Sequence, residues 1–435
     1  MHPRFAFTLL IMASLGVPGS AAQAYSIATT TDGIDLRWDN AEVIQYRIHA
    51  AGSDDLDSGT LQQLTRAAFG TWNDVPTADI TFQEGPNFNG PAEHHAGPED
   101  VDFESAVFFV EADWPYATEV IALTSVSFAS DGEILDADIA FNGQDHTFTT
   151  VDQGGEKDFL SICTHEAGHF AGLDHPDPNV PEATMTAEYE DGDTFLRDLD
   201  PDDEAGLTFL YPLPEPEGCP QAACDGAGGS RPAAALVAFG LGLLLVGGRS
   251  RRRRGPGPAL ASCLALGLLV SPGSAQSTLV TELSIADLAA GADRVVLADV
   301  VSVQSHLQGI VRRTVLLDVV QDWAGGGSAQ LSLELLGGEL DEAVQLVHAD
   351  GRPRGKPLKG TRVFGVPEVD PGERIVVVLS GGQVRGLAQG LFHVGPDGSV
   401  WRDLTGLALA RTSAGPPLPV TAPGDLVSLK AALFR

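Results

Sequence analysis

Cysteine, methionine and positive charge are scarce in this chain. Four cysteines in 435 residues exclude a disulfide-stapled scaffold, because such domains need several bridges for each small core. Cys163 stands in an apolar context and reads as a small buried hydrophobe. Cys219 and Cys224 share a loop-like stretch and can pair only in an oxidising compartment, and Cys263 lies in an apolar run. Lys and Arg number 26 against 59 Asp and Glu, a net charge of -33, and the deficit is uneven. From Tyr25 to Gly218 there are 41 acidic residues against five basic ones (Arg37, Arg47, Arg66, Lys157 and Arg197), and from Cys219 onward 18 against 20. A half so acidic lacks the basic footprint that a nucleic acid requires. It reads as a heavily solvated surface, with some carboxylates able to hold calcium. The apolar fraction of 43% is ordinary for a folded protein, so the chain is not disordered overall.

Histidine, by contrast, is concentrated in one stretch, Thr164-His165-Glu166-Ala167-Gly168-His169-Phe170-Ala171-Gly172-Leu173-Asp174-His175. His165 and His169 are four apart, so on a helix they stand one turn above the other and two imidazoles reach one metal ion. Glu166 sits beside the first ligand, close enough to handle a metal-bound water yet off the ligand axis, which suits a general base. Gly172 falls where a residue with positive φ ends the helix and turns the chain. His175 then supplies a third ligand from beyond the turn. Three neutral imidazoles leave a zinc ion's fourth position open for water, the catalytic rather than the structural arrangement. The expected cofactor is catalytic Zn2+. Asp136, Asp138 and Asp145 are candidate ligands for structural Ca2+ by chemistry alone.

This is the H-E-x-x-H-x-x-G-x-x-H pattern, and with Val180-Pro181-Glu182-Ala183-Thr184-Met185 downstream it resembles the metzincins, in particular the matrixin branch, over roughly Ile34 to Pro212. The resemblance implies an α+β catalytic domain, a twisted mixed sheet with long helices around a zinc cleft. It implies a turn that carries Met185 beneath the three histidines. It also implies that the strand matching Ile121 to Phe128 edges the cleft, where an extended peptide adds by backbone hydrogen bonds. Leu199 to Tyr211 resembles the closing helix. Two features depart from the animal pattern: Thr186-Ala187 replaces the usual tyrosine and proline after the methionine, and His175 to Met185 is slightly longer. Both bear on the shape of the specificity pocket. No cysteine is placed to cap the zinc and no propeptide is visible before the first strand, so cysteine-switch latency is expected to be absent. His94 and His95 lack the aspartate and further histidines of a structural zinc site and read as a solvated loop.

Residues 1–24 read as a secretory signal peptide, with Arg4 before an apolar run and Ala22-Gln23-Ala24 as the cleavage site, and they imply a secreted or surface-held protein. Period-two alternation predicts strands at Ile34–Trp38 and Val43–Ile48, and Ile80–Phe82 as the next strand. Leu61, Leu64, Ala67 and Ala68 predict a helix from Thr60 to Trp72, capped by Ser58 or Thr60. Residues 25–212 form the expected catalytic domain and 213–231 a linker. Residues 232–275 hold two apolar segments around the cluster Arg249 to Arg254, and 276–435 a β-rich domain.

The linker, the run from 232 to 248 and the arginines resemble C-terminal sorting tails of myxobacterial surface proteins, and Pro256 to Gln276 looks like a second signal peptide. The segment therefore reads as a helical hairpin with its arginines in the cytoplasm or as two secretory genes joined in one frame. Membrane association is expected through 232–270. Beyond it, runs at Arg294–Val303, Val311–Val320, Leu331–Leu335 and Arg374–Leu379, with Gly-Gly pairs at 337 and 381, predict an all-β sandwich or barrel without a chemical cluster. The shift of charge and composition near Pro212 predicts two halves that fold independently.

The reading is a zinc-dependent metalloendopeptidase acting on extracellular proteins, matrix proteins included, with His165, His169 and His175 on the metal and Glu166 as base. One rival is another hydrolase on the same site, acting for example on a modified cell-wall peptide. The other is a surface adhesion or binding protein with a vestigial protease domain, against which the intact Glu166 argues.

Overall fold

A computed structural model describes residues 25–39, 43–89, 103–150, 157–176, 180–214, 278–347, 351–353, 355–404, 407–411 and 424–434. The signal-like residues 1–24, His94 and His95, Cys219, Cys224, Cys263 and the segments of 232–275 lie outside the described residues. Among the described residues no helix is long and apolar enough to cross a membrane.

The first helix, α1 (Ser58–Asn73), is capped by Asp57, one residue before Ser58 and three before Thr60, the two expected caps. The Asp57 carboxylate accepts the N–H groups of Gly59 and Thr60 at 3.1 and 3.0 Å, which satisfies donors that have no partner inside the helix. Leu61, Thr65, Ala68, Phe69 and Trp72 are its buried stripe. They face α2 (Phe159–Phe170), and the Trp72 indole donates to the Thr164 carbonyl at 2.9 Å.

Five strands carry these helices: β1 (Ile44–Ile48), β2 (Phe82–Glu84), β3 (Ala106–Val110), β4 (Val120–Ala129) and β5 (Ile134–Asn142). Their order is β2-β1-β3-β5-β4, parallel except that β4 runs antiparallel to β5. Among the described residues of 25–214 only β5 pairs with β4, so β4 is the edge of this part of the sheet. Ile34–Trp38 is not a strand. Its backbone is engaged elsewhere: Leu36 donates to the Ala28 carbonyl, Ala28 donates to Gly172, and only isolated bridges link Asp35 to Thr29 and Arg37 to Glu133. The strand expected at Ile80 starts two residues later, at Phe82.

The C-terminal half supplies β6 (Thr278–Thr281), the long hairpin β7 (Arg294–Gln308) and β8 (Ile310–Ala324), β9 (Gln330–Leu336), β10 (Leu358–Val363), β11 (Arg374–Ser380), β12 (Leu391–Val394) and β13 (Leu407–Arg411). Gly309, at φ 73°, makes the hairpin turn, and both glycine pairs at 337 and 381 have positive φ, as their bends require. The half is β-rich as expected, with short helices at Ile285–Ala290 and Leu426–Leu433. Strands β9, β8, β7, β11 and β12 lie side by side in a seven-stranded sheet.

The two halves expected to fold independently are packed together in this structure. The described residues from Tyr25 to Leu213 and from Thr278 onward belong to one compact unit. Strands β6, β10 and β13 belong to the same ten-stranded sheet as β1 to β5. The helix-bearing face of that sheet packs Phe109, Ile139 and Phe141 against Phe159, Ile162 and Phe170. The opposite face packs Phe108, Val110, Val120 and Leu123 against Val296, Val315, Ile375 and Val377 of the C-terminal sheet. All five residues of β3 and all ten of β4 are therefore buried. The halves cohere because a sheet with two apolar faces needs cover on both.

Candidate metal centre

The sequence around α2 places three imidazoles by local rules. Asp158 caps the helix, accepting the Ser161 N–H at 2.9 Å, and is itself paired with Arg197. At the other end Gly172 takes φ +96°, and a Cβ there would lie 2.4 Å from the Leu36 carbonyl oxygen. Gly172→Ala is accordingly expected to cost about 3 kcal/mol or more, through left-handed strain plus a backbone clash, measured as a lowered denaturation midpoint. The Tyr211 hydroxyl donates to the Ala171 carbonyl at 2.7 Å, and the Trp38 indole donates to Phe170 O at 2.8 Å. Both satisfy carbonyls left open where the helix ends.

His165, His169 and His175 come together as expected, all fully or almost fully buried, with one ligand atom of each within 4.8 Å of the others. The Nδ1 of His165 faces the Thr184 carbonyl at 2.6 Å, and that of His169 faces the Leu173 carbonyl at 3.0 Å. A carbonyl only accepts, so in both rings Nδ1 carries the proton and Nε2 presents a lone pair. Those two Nε2 atoms face each other at 3.1 Å, and His175 Nε2 lies 3.0 Å from His165 Nε2. Facing lone pairs repel unless a cation lies between them. Zinc–nitrogen bonds of about 2.0–2.1 Å at tetrahedral angles set ligand nitrogens roughly 3.3 Å apart, so the trio fits zinc. Burial holds His165 down to about 4. Burial, with the neighbouring imidazoles, also holds His169 and His175 well below the usual imidazole range. Neutral imidazole is the ligand form.

Glu166 lies within the same buried cluster. The Thr124 hydroxyl of β4 donates to its Oε2 and lies 3.4 Å from its backbone carbonyl, while no well-formed hydrogen bond reaches Oε1. Burial pushes this carboxyl up to about 8, against the pull of the Thr124 hydroxyl and of the Leu279 N–H close by. Met185 is buried beneath the helix: a Cβ on Gly168 would meet its sulfur at 2.3 Å and the Trp72 ring at 2.6 Å. The absence of a side chain at 168 is what lets the methionine sit there.

Two residues in this site were not found by sequence reasoning. Thr124 gave no signal, being one of three hydroxyl residues, with Ser125 and Ser127, in a mostly apolar strand. Asp203, in α3 (Pro201–Leu210), left only the signal of an acid at the third position of a helix, and it holds the methionine turn. Its carboxylate accepts from Thr184 N at 2.7 Å, Met185 N at 3.0 Å and Asp200 N at 2.9 Å. Burial nonetheless pushes it up to about 6. Asp203→Ala is expected to lower stability by about 3 kcal/mol, since three backbone donors lose their acceptor. It should also weaken zinc about 10–100-fold, because Thr184 no longer orients His165. Chemical denaturation and zinc titration of the one variant check both.

The candidate calcium ligands are not gathered. Asp136 accepts from Ser105, Asp138 from the Ala106 N–H and Asp145 from the Asn142 side chain; the first two tie β5 to the start of β3. Among the described residues the histidine trio is the only grouping of three or more His, Cys, Asp or Glu side chains close enough to hold a metal. Cys163 is the buried hydrophobe expected, its thiol pushed up by burial.

Elements from the C-terminal half also reach this site. The Phe364 ring stacks on His169, with centroids 4.5 Å apart and planes 26° from parallel. Burial pushes the Asp174 carboxyl well above the usual carboxylate range, against the pull of the half-buried Arg362 guanidinium, and this carboxylate accepts the His175 N–H at 2.7 Å.

A buried helix carrying two histidines one turn apart, a third histidine past a glycine turn, an adjacent glutamate and a methionine beneath define a zinc-peptidase type of site. Residues 37–212 match the family model for matrixin, the M10 peptidases, so this stretch carries a matrixin-like metallopeptidase domain. No curated protein matches the chain.

Proposed function

We propose that the chain is a zinc-dependent endopeptidase that acts on proteins outside the cytoplasm. The observation that carries this reading is the convergence of three imidazole nitrogens at 3.0 and 3.1 Å beside a glutamate with one unengaged oxygen. His165, His169 and His175 would hold the ion, and bound zinc supplies Lewis acidity toward the scissile carbonyl and toward the attacking water. Glu166 Oε1 is placed to accept the proton of that water and return it to the leaving nitrogen. Thr124 keeps Oε2 engaged, so the carboxylate cannot swing away. Once uncovered, the β4 edge would align an extended peptide as an added strand.

The signal-like start supports export, and the apolar runs at 232–270 support attachment to a membrane. Zinc-loaded protein incubated with unstructured polypeptides tests the activity: internal cleavages are expected, and their absence in protein shown to hold zinc with an accessible site contradicts the reading. Export is tested by sequencing the N-terminus of the mature protein, expected near Tyr25.

A further inference from the structure

We propose a function for the C-terminal half: it is a tethered inhibitor that shuts the metal cleft by filling the place of an extended substrate. The inference rests on the peptidase reading above. Its first support is that the β4 edge is taken along its length. Strand β6 pairs antiparallel with one end, Leu279 opposite Ala122 and Val280 opposite Val120. Strand β10 pairs antiparallel with the other, from Leu358 opposite Ala129 to Val363 opposite Ser125. The backbone groups that a substrate needs are thus already bonded.

The second support is where these strands meet. Both run in the same direction along β4, so Val363, Phe364, Thr278 and Leu279 follow one another as consecutive residues of one added strand would. The break between Phe364 and Thr278 falls opposite Leu123 and Thr124, level with Glu166, which Thr124 touches. The gap is closed by the Thr278 hydroxyl donating to the Phe364 carbonyl. No peptide bond joins Phe364 to Thr278, so the added strand is interrupted where it passes the catalytic position. It has the form of two product-like strand ends held side by side.

The third support is that the cover is fitted to the site itself. Phe364 lies on the His169 ring, the Leu279 N–H lies close to the Glu166 carboxylate, and Leu279, Phe364, Ala408 and Ala410 belong to the catalytic core cluster. Across the site, Leu409 donates to the Ala187 carbonyl at 3.0 Å and β13 pairs with Glu188–Glu190, just past the methionine turn. Both rims are therefore engaged, and His165, Glu166, His169 and His175 are at most 2% exposed. Basic side chains of the C-terminal half meet the acidic half at the margin, Lys356 with Asp131 and Glu133 and Arg385 with Glu119.

The test uses the full zinc-loaded chain. In Ser127→Cys/Thr361→Cys, replacing two directly opposed residues whose hydroxyl oxygens are 3.1 Å apart, a disulfide should form and lock the cover. Leu279→Asp/Phe364→Ala should release it by placing a charge and a void in the contact. If the closed state is populated at ~99%, release raises peptide hydrolysis by about a hundredfold, since the rate follows the competent fraction. Removal of zinc by dipicolinate should quicken in the released variant and slow in the locked one, with reduction of the disulfide restoring the original rate. Equal hydrolysis and equal zinc removal in locked and reduced protein, with the disulfide verified by mass, would overturn the proposal. So would failure of the oxidised cysteine pair to cross-link. If no variant cleaves peptide, the peptidase reading fails, while the zinc-removal rates still decide whether the C-terminal half closes the site. Should the released variant not fold, the comparison of locked with reduced protein decides on its own.

Discussion

Glu166→Gln is expected to retain zinc at the wild-type ratio and to lose peptide hydrolysis about 10²–10⁴-fold, the range that a positioned general base contributes. The substitution keeps the shape of the side chain and leaves all three histidines intact. Glutamine can still accept from Thr124 through its carbonyl oxygen, but its other terminus is an amide that donates and cannot take a proton from water. The loss should therefore appear in kcat with little change in KM, because a proton acceptor acts in the transition state and not in substrate binding. The comparison belongs in the Leu279→Asp/Phe364→Ala background, where the cleft is open to substrate. Wild-type turnover in a zinc-loaded Glu166→Gln variant would remove the proposed base from the mechanism.

His169→Ala is expected to act one step earlier, by losing the metal. Loss of an outer hydrogen-bond partner of a ligand costs about 10–100-fold in affinity, and loss of a ligand itself should exceed that. Two nitrogens remain, and the lone pair of His165 no longer faces that of residue 169 at 3.1 Å. The same substitution takes the ring from under Phe364, so folding should be followed by circular dichroism alongside metal analysis. Stoichiometric zinc in folded His169→Ala would show that the ligand set is wrong.

The centre was legible because its determinants are local. Two histidines at a four-residue spacing, a glycine that must take positive φ and a histidine three further on specify a geometry within one helix and one turn, and α2 and Gly172 form it. Helix α1 followed from apolar spacing for the same reason, and α3 from its resemblance to the closing helix, with acids in its first turn. What was not legible depends on distant partners. Ile34–Trp38 alternates like a strand, but its backbone is drawn to the Gly172 turn, a contact that no local pattern announces. Asp203 looks like an ordinary acid in a first helical turn, and its role appears only when Thr184 and Met185 are brought above it.

The join between the halves left a signal that the charge balance obscured. Ala106–Val110 and Val120–Ala129 lack clean alternation, and strands apolar on both sides need cover on both. The composition change near Pro212 marks a change of surface, and the core runs across it regardless. Which strands supply the cover depends on pairings such as Ser125 with Val363, distant in sequence and fixed by shape, as at Gly360, where any Cβ would meet the Phe128 ring at 2.6 Å.

The central claim is that this buried trio serves peptide-bond hydrolysis. The most direct measurement is mass-spectrometric mapping of new termini after a diverse peptide library meets the zinc-loaded Leu279→Asp/Phe364→Ala chain. Cuts at internal peptide bonds are expected, vanishing when zinc is chelated and returning when it is restored. Zinc verified in the protein, a site open to chelator and yet no internal cleavage of any peptide would contradict it.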